Sequence, residues 1–151
     1  VRWFPVLLLL TAHLQAADLI GGWTCYGVYP LEDGSEMTLI TNENFLPDQH
    51  HSFGEVQFNL ARYEVALENN ILLTNSWQKE GDTLEVTIER SFILGDAEPR
   101  FEQLANLEGR FQPGTTFRYT ITRLDRKHLD LSLNGSEATV ACDRKRQIIL
   151  D

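Results

Sequence analysis

From residue 20 onward the chain repeats one motif, a short run of alternating apolar and polar side chains followed by a cluster of turn formers. Successive side chains of a strand point to opposite faces, so such a run buries one face and wets the other. Residues 83–93 show it most clearly, with Leu84, Val86 and Ile88 interleaved by Glu85, Thr87 and Glu89. Many short runs with short connections specify an all-β sandwich or barrel.

The runs predict strands over 20–29, 36–41, 53–67, 71–78, 83–93, 115–124, 127–133 and 136–143. Turn signals separate them: Pro30 with Glu32-Asp33-Gly34, Asn69-Asn70, Glu80-Gly81-Asp82 and Asn134-Gly135. Within 53–67 the apolar positions are Val56, Phe58 and Leu60, then Tyr63, Val65 and Leu67. The alternation slips once there, which reads as a bulge in one long, bent strand. A single stretch has helical spacing instead: Asp96 can cap a helix over 97–108 that carries Phe101, Leu104 and Leu107 and stops at Gly109. The segment 42–52, rich in acids, amides and histidines, reads as a loop.

The chain opens Val1-Arg2-Trp3-Phe4-Pro5, continues through an apolar stretch and reaches Leu14-Gln15-Ala16-Ala17, the layout of a secretory signal peptide. The apolar stretch is too short to cross a bilayer as a helix, so a permanent membrane span is not expected. With residues 1–16 as the signal and cleavage after Ala16 or Ala17, residues 17–151 are expected to form a single domain, periplasmic or secreted. The first cysteine, Cys25, lies well beyond the apolar stretch, which argues against lipid anchoring. Net charge is −9, and losing Arg2 with the signal makes it −10. An acidic protein of this kind repels phosphate backbones and anionic lipid, so neither nucleic acid nor a membrane surface is an expected partner.

Two cysteines in an exported chain favour a disulfide between Cys25 and Cys142. A metal pair or a reactive thiol competes with that reading, without a further cysteine or a nearby histidine in the sequence to support it. The bond would close a loop long enough to remove about 4 to 5 kcal/mol of unfolded-state entropy on the chain-entropy estimate. If the meander closes on itself, the first strand pairs antiparallel with the last and no sheet edge stays open. Cys25 opposite Cys142 then sets Trp23 opposite Arg144 on the same face, where a guanidinium over an indole makes a favourable cation–π contact.

These residues resemble those of a known group. Gly21-Gly22-Trp23 resembles the Gly-x-Trp that opens the first strand of lipocalins and related calycin barrels, and Arg144 resembles the arginine that packs over that tryptophan. The order Trp23-Thr24-Cys25, Phe45 with Asp48, 77–84, 121–133 and Cys142-Asp143-Arg144 is similar to exported bacterial lipocalin-like domains of uncharacterised function. The resemblance implies an eight-stranded antiparallel up-and-down barrel of calycin type. Lipocalins usually place their helix after the last strand, whereas the helix expected here precedes the sixth.

Such a barrel is either filled by side chains or encloses one small ligand. Phe58, Tyr63, Trp77, Phe117 and Tyr119 are the candidate ligand-binding residues, with Ile121 on the same buried face. Asp48, His50 and His51 form the one cluster with metal-ligand chemistry; a full site would need another donor such as His128, and the spacing reads better as solvated loop, so no metal or other cofactor is expected. No Gly-x-Ser-x-Gly elbow or organised Ser, His and Asp pattern is present, and Glu85 and Glu89 occupy a wet face, so an enzyme is not expected. The leading expectation is a non-enzymatic binding protein for a small hydrophobic or amphipathic ligand. The alternative is an acidic protein-binding module or inhibitor of a basic enzyme.

Overall fold

The computed structural model describes residues 16–62, 65–95 and 99–145. A 3₁₀ turn at Ala16–Leu19 leads into β1 (Gly21–Pro30), β2 (Glu36–Phe45), β3 (His51–Arg62), β4 (Val65–Glu80) and β5 (Thr83–Leu94). Two short helices, α1 (Pro99–Ala105) and α2 (Leu107–Arg110), precede β6 (Thr116–Leu124), β7 (His128–Leu133) and β8 (Thr139–Arg144). The eight strands run antiparallel in sequence order and close into a barrel through β1 and β8. Closure gives every strand two neighbours, with β5 paired to β6 only over Thr83–Thr87 before it runs on to Leu94.

The expected all-β, eight-stranded up-and-down barrel is therefore the observed one, with differences in detail. Segment 53–67 is not one bulged strand: β3 ends at Arg62, β4 begins at Val65, and Leu60 pairs with Leu67 across a hairpin. A connection of two residues switches the inward positions from even numbers (Val56, Phe58, Leu60) to odd ones (Asn69, Ile71, Leu73), which in sequence looks like a slip. Asn69-Asn70 is accordingly mid-strand rather than a turn. A bulge does occur in β5, where Arg90 pairs with Thr74 and Ile88 with Asn75, leaving Glu89 as the extra residue.

The expected helix over 97–108 is split, and Asp96 lies outside the described residues. Asn106 adopts a left-handed conformation (φ 48°), and its side chain accepts a hydrogen bond from Gly109 N, starting the short α2 that runs past Gly109 to Arg110. Both helices lie at the barrel end where β5 finishes and β6 starts. They place Phe101, Ala105 and Leu107, all fully buried, against Phe58, Leu60, Ile71 and Ile88 of the barrel wall.

The opposite end is closed by a second cluster of Leu19, Trp23, Phe45, Trp77, Leu84, Ile121 and Leu129. Trp23 is fully buried and donates its indole N–H to Leu19 O at 2.9 Å. Arg144 lies opposite Trp23 in the β1–β8 register, with its guanidinium carbon 4.1 Å from the ring centroid. The same guanidinium donates to the carbonyls of Ile20 and Asp18, each at 2.7 Å, and to that of Arg126 at 2.7 Å. One side chain thus joins the 3₁₀ turn, β1, β8 and the β6–β7 connection. Gly21 serves this latch: its φ is +115°, and a Cβ there would stand 3.0 Å from Arg144 Nη1. Two residues further along the seam, Cys25 and Cys142 form the expected disulfide, with Cα atoms 3.9 Å apart.

Candidate ligand-binding cavity

Between the two clusters the barrel is not filled. A cavity of about 360 Å³ runs from Cys25, Phe45, Leu84 and Leu129 on the latched side to Tyr29, Pro30, Met37, Arg110 and Phe111 beside the helices. Its walls are mostly apolar, with Leu39 and Val56 on one side and Val86, Ile88, Leu131 and Val140 on the other. That size and lining suit a small organic ligand.

Inward-facing positions follow the strand alternation, and this places the polar groups as well. On β2 the inward set is Met37, Leu39, Thr41, Glu43 and Phe45, all of which line the cavity. Glu43 faces Gly54 across the β2–β3 pair, and a Cβ on Gly54 would collide with Glu43 Oε2. Glycine at 54 therefore makes room for the carboxylate. Asn75, 2% exposed, donates its amide to Glu43 Oε1 at 3.3 Å and lies 3.4 Å from Ser52 Oγ. The Asn75 carbonyl oxygen is buried and has no hydrogen-bond partner. Burial pushes the Glu43 carboxyl up to about 7, against the lowering effect of hydrogen bonds from Ser52 and Asn75. The phenols of Tyr29 on β1 and Tyr119 on β6 interact, and burial raises both above the usual tyrosine range, Tyr119 the more.

An aromatic series connects the helical end to this interior. Phe58 meets Phe111 edge-on at 5.1 Å, Phe111 lies 5.5 Å from Phe117, and Phe117 stacks on Tyr119 at 6.5 Å. Of the residues singled out from sequence, Phe117 and Tyr119 line the cavity. Phe58, fully buried, belongs to the cluster under the helices, and Trp77 packs edge-on against Phe45 at 5.2 Å while donating to His51 O. Tyr63 lies outside the described residues. Sequence reasoning missed Glu43, Ser52, Asn75, Tyr29 and Phe111. The signal for Glu43 is its phase with Met37, Leu39 and Thr41, which a strand over 36–41 leaves out and the observed β2, running to Phe45, includes.

The segment 42–52 is half strand and half ordered turn. Asp48 Oδ1 accepts from the backbone N–H of both His50 and His51 at 2.9 Å, and Oδ2 meets His51 Nδ1 at 2.6 Å. Those bonds, the His50 N–H first, hold the Asp48 carboxyl down at about 2, and Asp48 raises the His51 imidazole. His128 is elsewhere, on β7, where it contacts Asp125. Asp48, His50 and His51 thus form a turn, and among the described residues no group of three or more potential ligands could hold a metal ion.

Eight sequential antiparallel strands, a closed barrel and a Trp–Arg latch on the first and last strands decide the fold. The fold is lipocalin-like. No family model matches the chain, and no curated protein matches it. Among solved structures, a lipocalin-like protein from Bacteroides uniformis is similar to it at 14% identity, over 85% of this chain and 99% of that one, with a TM-score of 0.49. Among the described residues no helix is long and apolar enough to cross a membrane.

Proposed function

We propose that the protein is an exported, non-enzymatic carrier that holds one small hydrophobic or amphipathic molecule inside the barrel. The observation that carries this is the cavity of about 360 Å³, walled by aliphatic and aromatic side chains and left unfilled between two well-packed clusters. A space of that size is roughly a dozen water volumes at about 30 Å³ each, enough for a ligand with a comparable number of non-hydrogen atoms. An apolar void gains free energy when filled, because its lining recovers dispersion contacts and apolar ligand surface leaves water. The Cys25–Cys142 disulfide suits an oxidising compartment and supports the export reading.

The test is mass spectrometry of protein purified gently from its native host, under native and then denaturing conditions. A native adduct that denaturation releases is the expected result. A native mass equal to the bare polypeptide, together with failure to take up any apolar fluorescent probe, overturns the proposal. Leu131→Trp, which fills the cavity from β7, is expected to lower probe uptake at least tenfold while the barrel still unfolds cooperatively.

A further inference from the structure

One part of the cavity wall is polar, and once Glu43 is ionised its free valences are all acceptors. The Asn75 amide N–H₂ is already directed at Glu43 and Ser52, which leaves the buried Asn75 carbonyl oxygen without a partner. Beside it stands Glu43, the one carboxylate among the described residues that line the cavity. A ligand head that completes this corner must bring donors, because a buried acceptor without a partner is costly and an acceptor-only head would face two more acceptors.

We infer that the cavity selects ligands with a cationic amine head, whose N–H groups reach the Glu43 carboxylate and the Asn75 carbonyl oxygen while the apolar wall covers the body. This rests on the carrier function proposed above. An ammonium offers three donors and the charge opposite to Glu43, in surroundings where water screens little. The other titratable groups of the lining do not supply that charge. Tyr29 on β1 and Tyr119 on β6 are neutral phenols held above their usual range. Arg110 enters from α2 at the helical end, is exposed, and forms no salt bridge with Glu43. Cys25 is tied up in the disulfide. The net charge of −9 further favours approach of a cation over an anion. With its carboxyl near 7 in the empty cavity, Glu43 changes charge within the working range. Binding of an amine should therefore strengthen as Glu43 ionises and release a proton below that point.

The experiment titrates the full mature chain with octylamine, 1-octanol and octanoate, which share a body and differ in the head, by calorimetry at about pH 6 and about pH 8. The ionised fraction of a carboxyl near 7 changes about tenfold between these values, and octylamine stays protonated at both. The expected result is octylamine at least tenfold tighter than the other two at the higher pH and about tenfold weaker at the lower. Glu43→Gln is expected to bring the amine down to the affinity of the alcohol and to abolish the pH dependence. If the three bind equally, or octanoate binds best, or Glu43→Gln keeps the amine preference, the inference falls and the carrier function stands. If none of the three binds, both fall. Should Glu43→Gln fail to fold, the order of the three heads and the pH profile of the unmutated chain decide.

Discussion

The two ends of the barrel are built on different terms. At the latched end the chain fills the interior with Trp23, Phe45, Trp77 and Leu129, and Arg144 of β8 lies over Trp23 of β1 and holds residues 18–20 and the β6–β7 connection through charge-assisted hydrogen bonds to backbone carbonyls. At the other end closure depends on α1 and α2, of seven and four residues, held by the packing of Phe101, Ala105 and Leu107. Helices this short have no stability of their own and exist only while packed. The comparison teaches where motion is permitted. The latched end fixes the frame that carries Glu43 and Asn75, and the helical end, held by packing alone, is expected to be the side of lower local stability.

The largest effects should come from emptying each end in turn. Trp23→Ala removes a fully buried indole and the surface on which Arg144 lies, and is expected to cost about 3 to 5 kcal/mol, read as a fall in the denaturant midpoint of the whole barrel. Phe101→Ala should cost nearer the bottom of that range of about 3 to 5 kcal/mol, but faster release of a bound apolar probe should accompany it. Equal probe kinetics in the two variants would break the comparison.

Opening the seam beside the latch comes next. Replacing Cys25 and Cys142 together by Ser is expected to destabilise by about 2 to 4 kcal/mol, measured by urea unfolding against the oxidised protein. Backbone amides of β1 and β8 should lose exchange protection before those of β3 and β4.

The carboxylate inside the frame gives a smaller, pH-dependent effect. Glu43 has a folded value of about 7 against 4.5 when free, so the folded state holds a proton that the unfolded state has lost. Stability from this group is intact at low pH and declines as pH rises from that free value through the folded one. Glu43→Gln should therefore match the parent at about pH 4 and exceed it by about 1 to 3 kcal/mol at about pH 8, by thermal melts in the absence of ligand. Parent stability that rises over this interval relative to the variant would show Glu43 to be stabilised as a carboxylate in the empty barrel.

The smallest effect belongs to the break between the helices. Asn106→Ala forces a Cβ-bearing residue without a capping side chain into the left-handed conformation, and should cost about 1 to 2 kcal/mol. Amide exchange should report this loss in α1 and α2 with the latched end unchanged.

Much of this architecture is legible from one chain because a closed meander obeys local rules. Alternation named the strands, and Asn134-Gly135 named the last hairpin, where Gly135 takes a φ of 79°. A single register choice at Cys25 and Cys142 sets Trp23 across from Arg144. The slip near Leu60 and the bulge after Ile88 show where locality stops. Both change the phase of the inward positions, but one is a hairpin and the other an extra residue, and partner strands distinguish them. The candidate cavity was legible in part, through Phe117 and Tyr119.

By itself the sequence determined the all-β class, the number of strands, the disulfide and the alternation of buried and wet positions along most of the strands, since these depend on side-chain period and on residue type. Tertiary structure alone decided that the barrel stays open between two packed clusters, and that Phe58 and Trp77 belong to those clusters while Tyr29 and Phe111 line the cavity. It also decided that Glu43, Ser52 and Asn75 meet, from three strands, around the vacancy left by Gly54. Those outcomes depend on volumes and distances summed over residues far apart in the chain, and no period or local propensity records them.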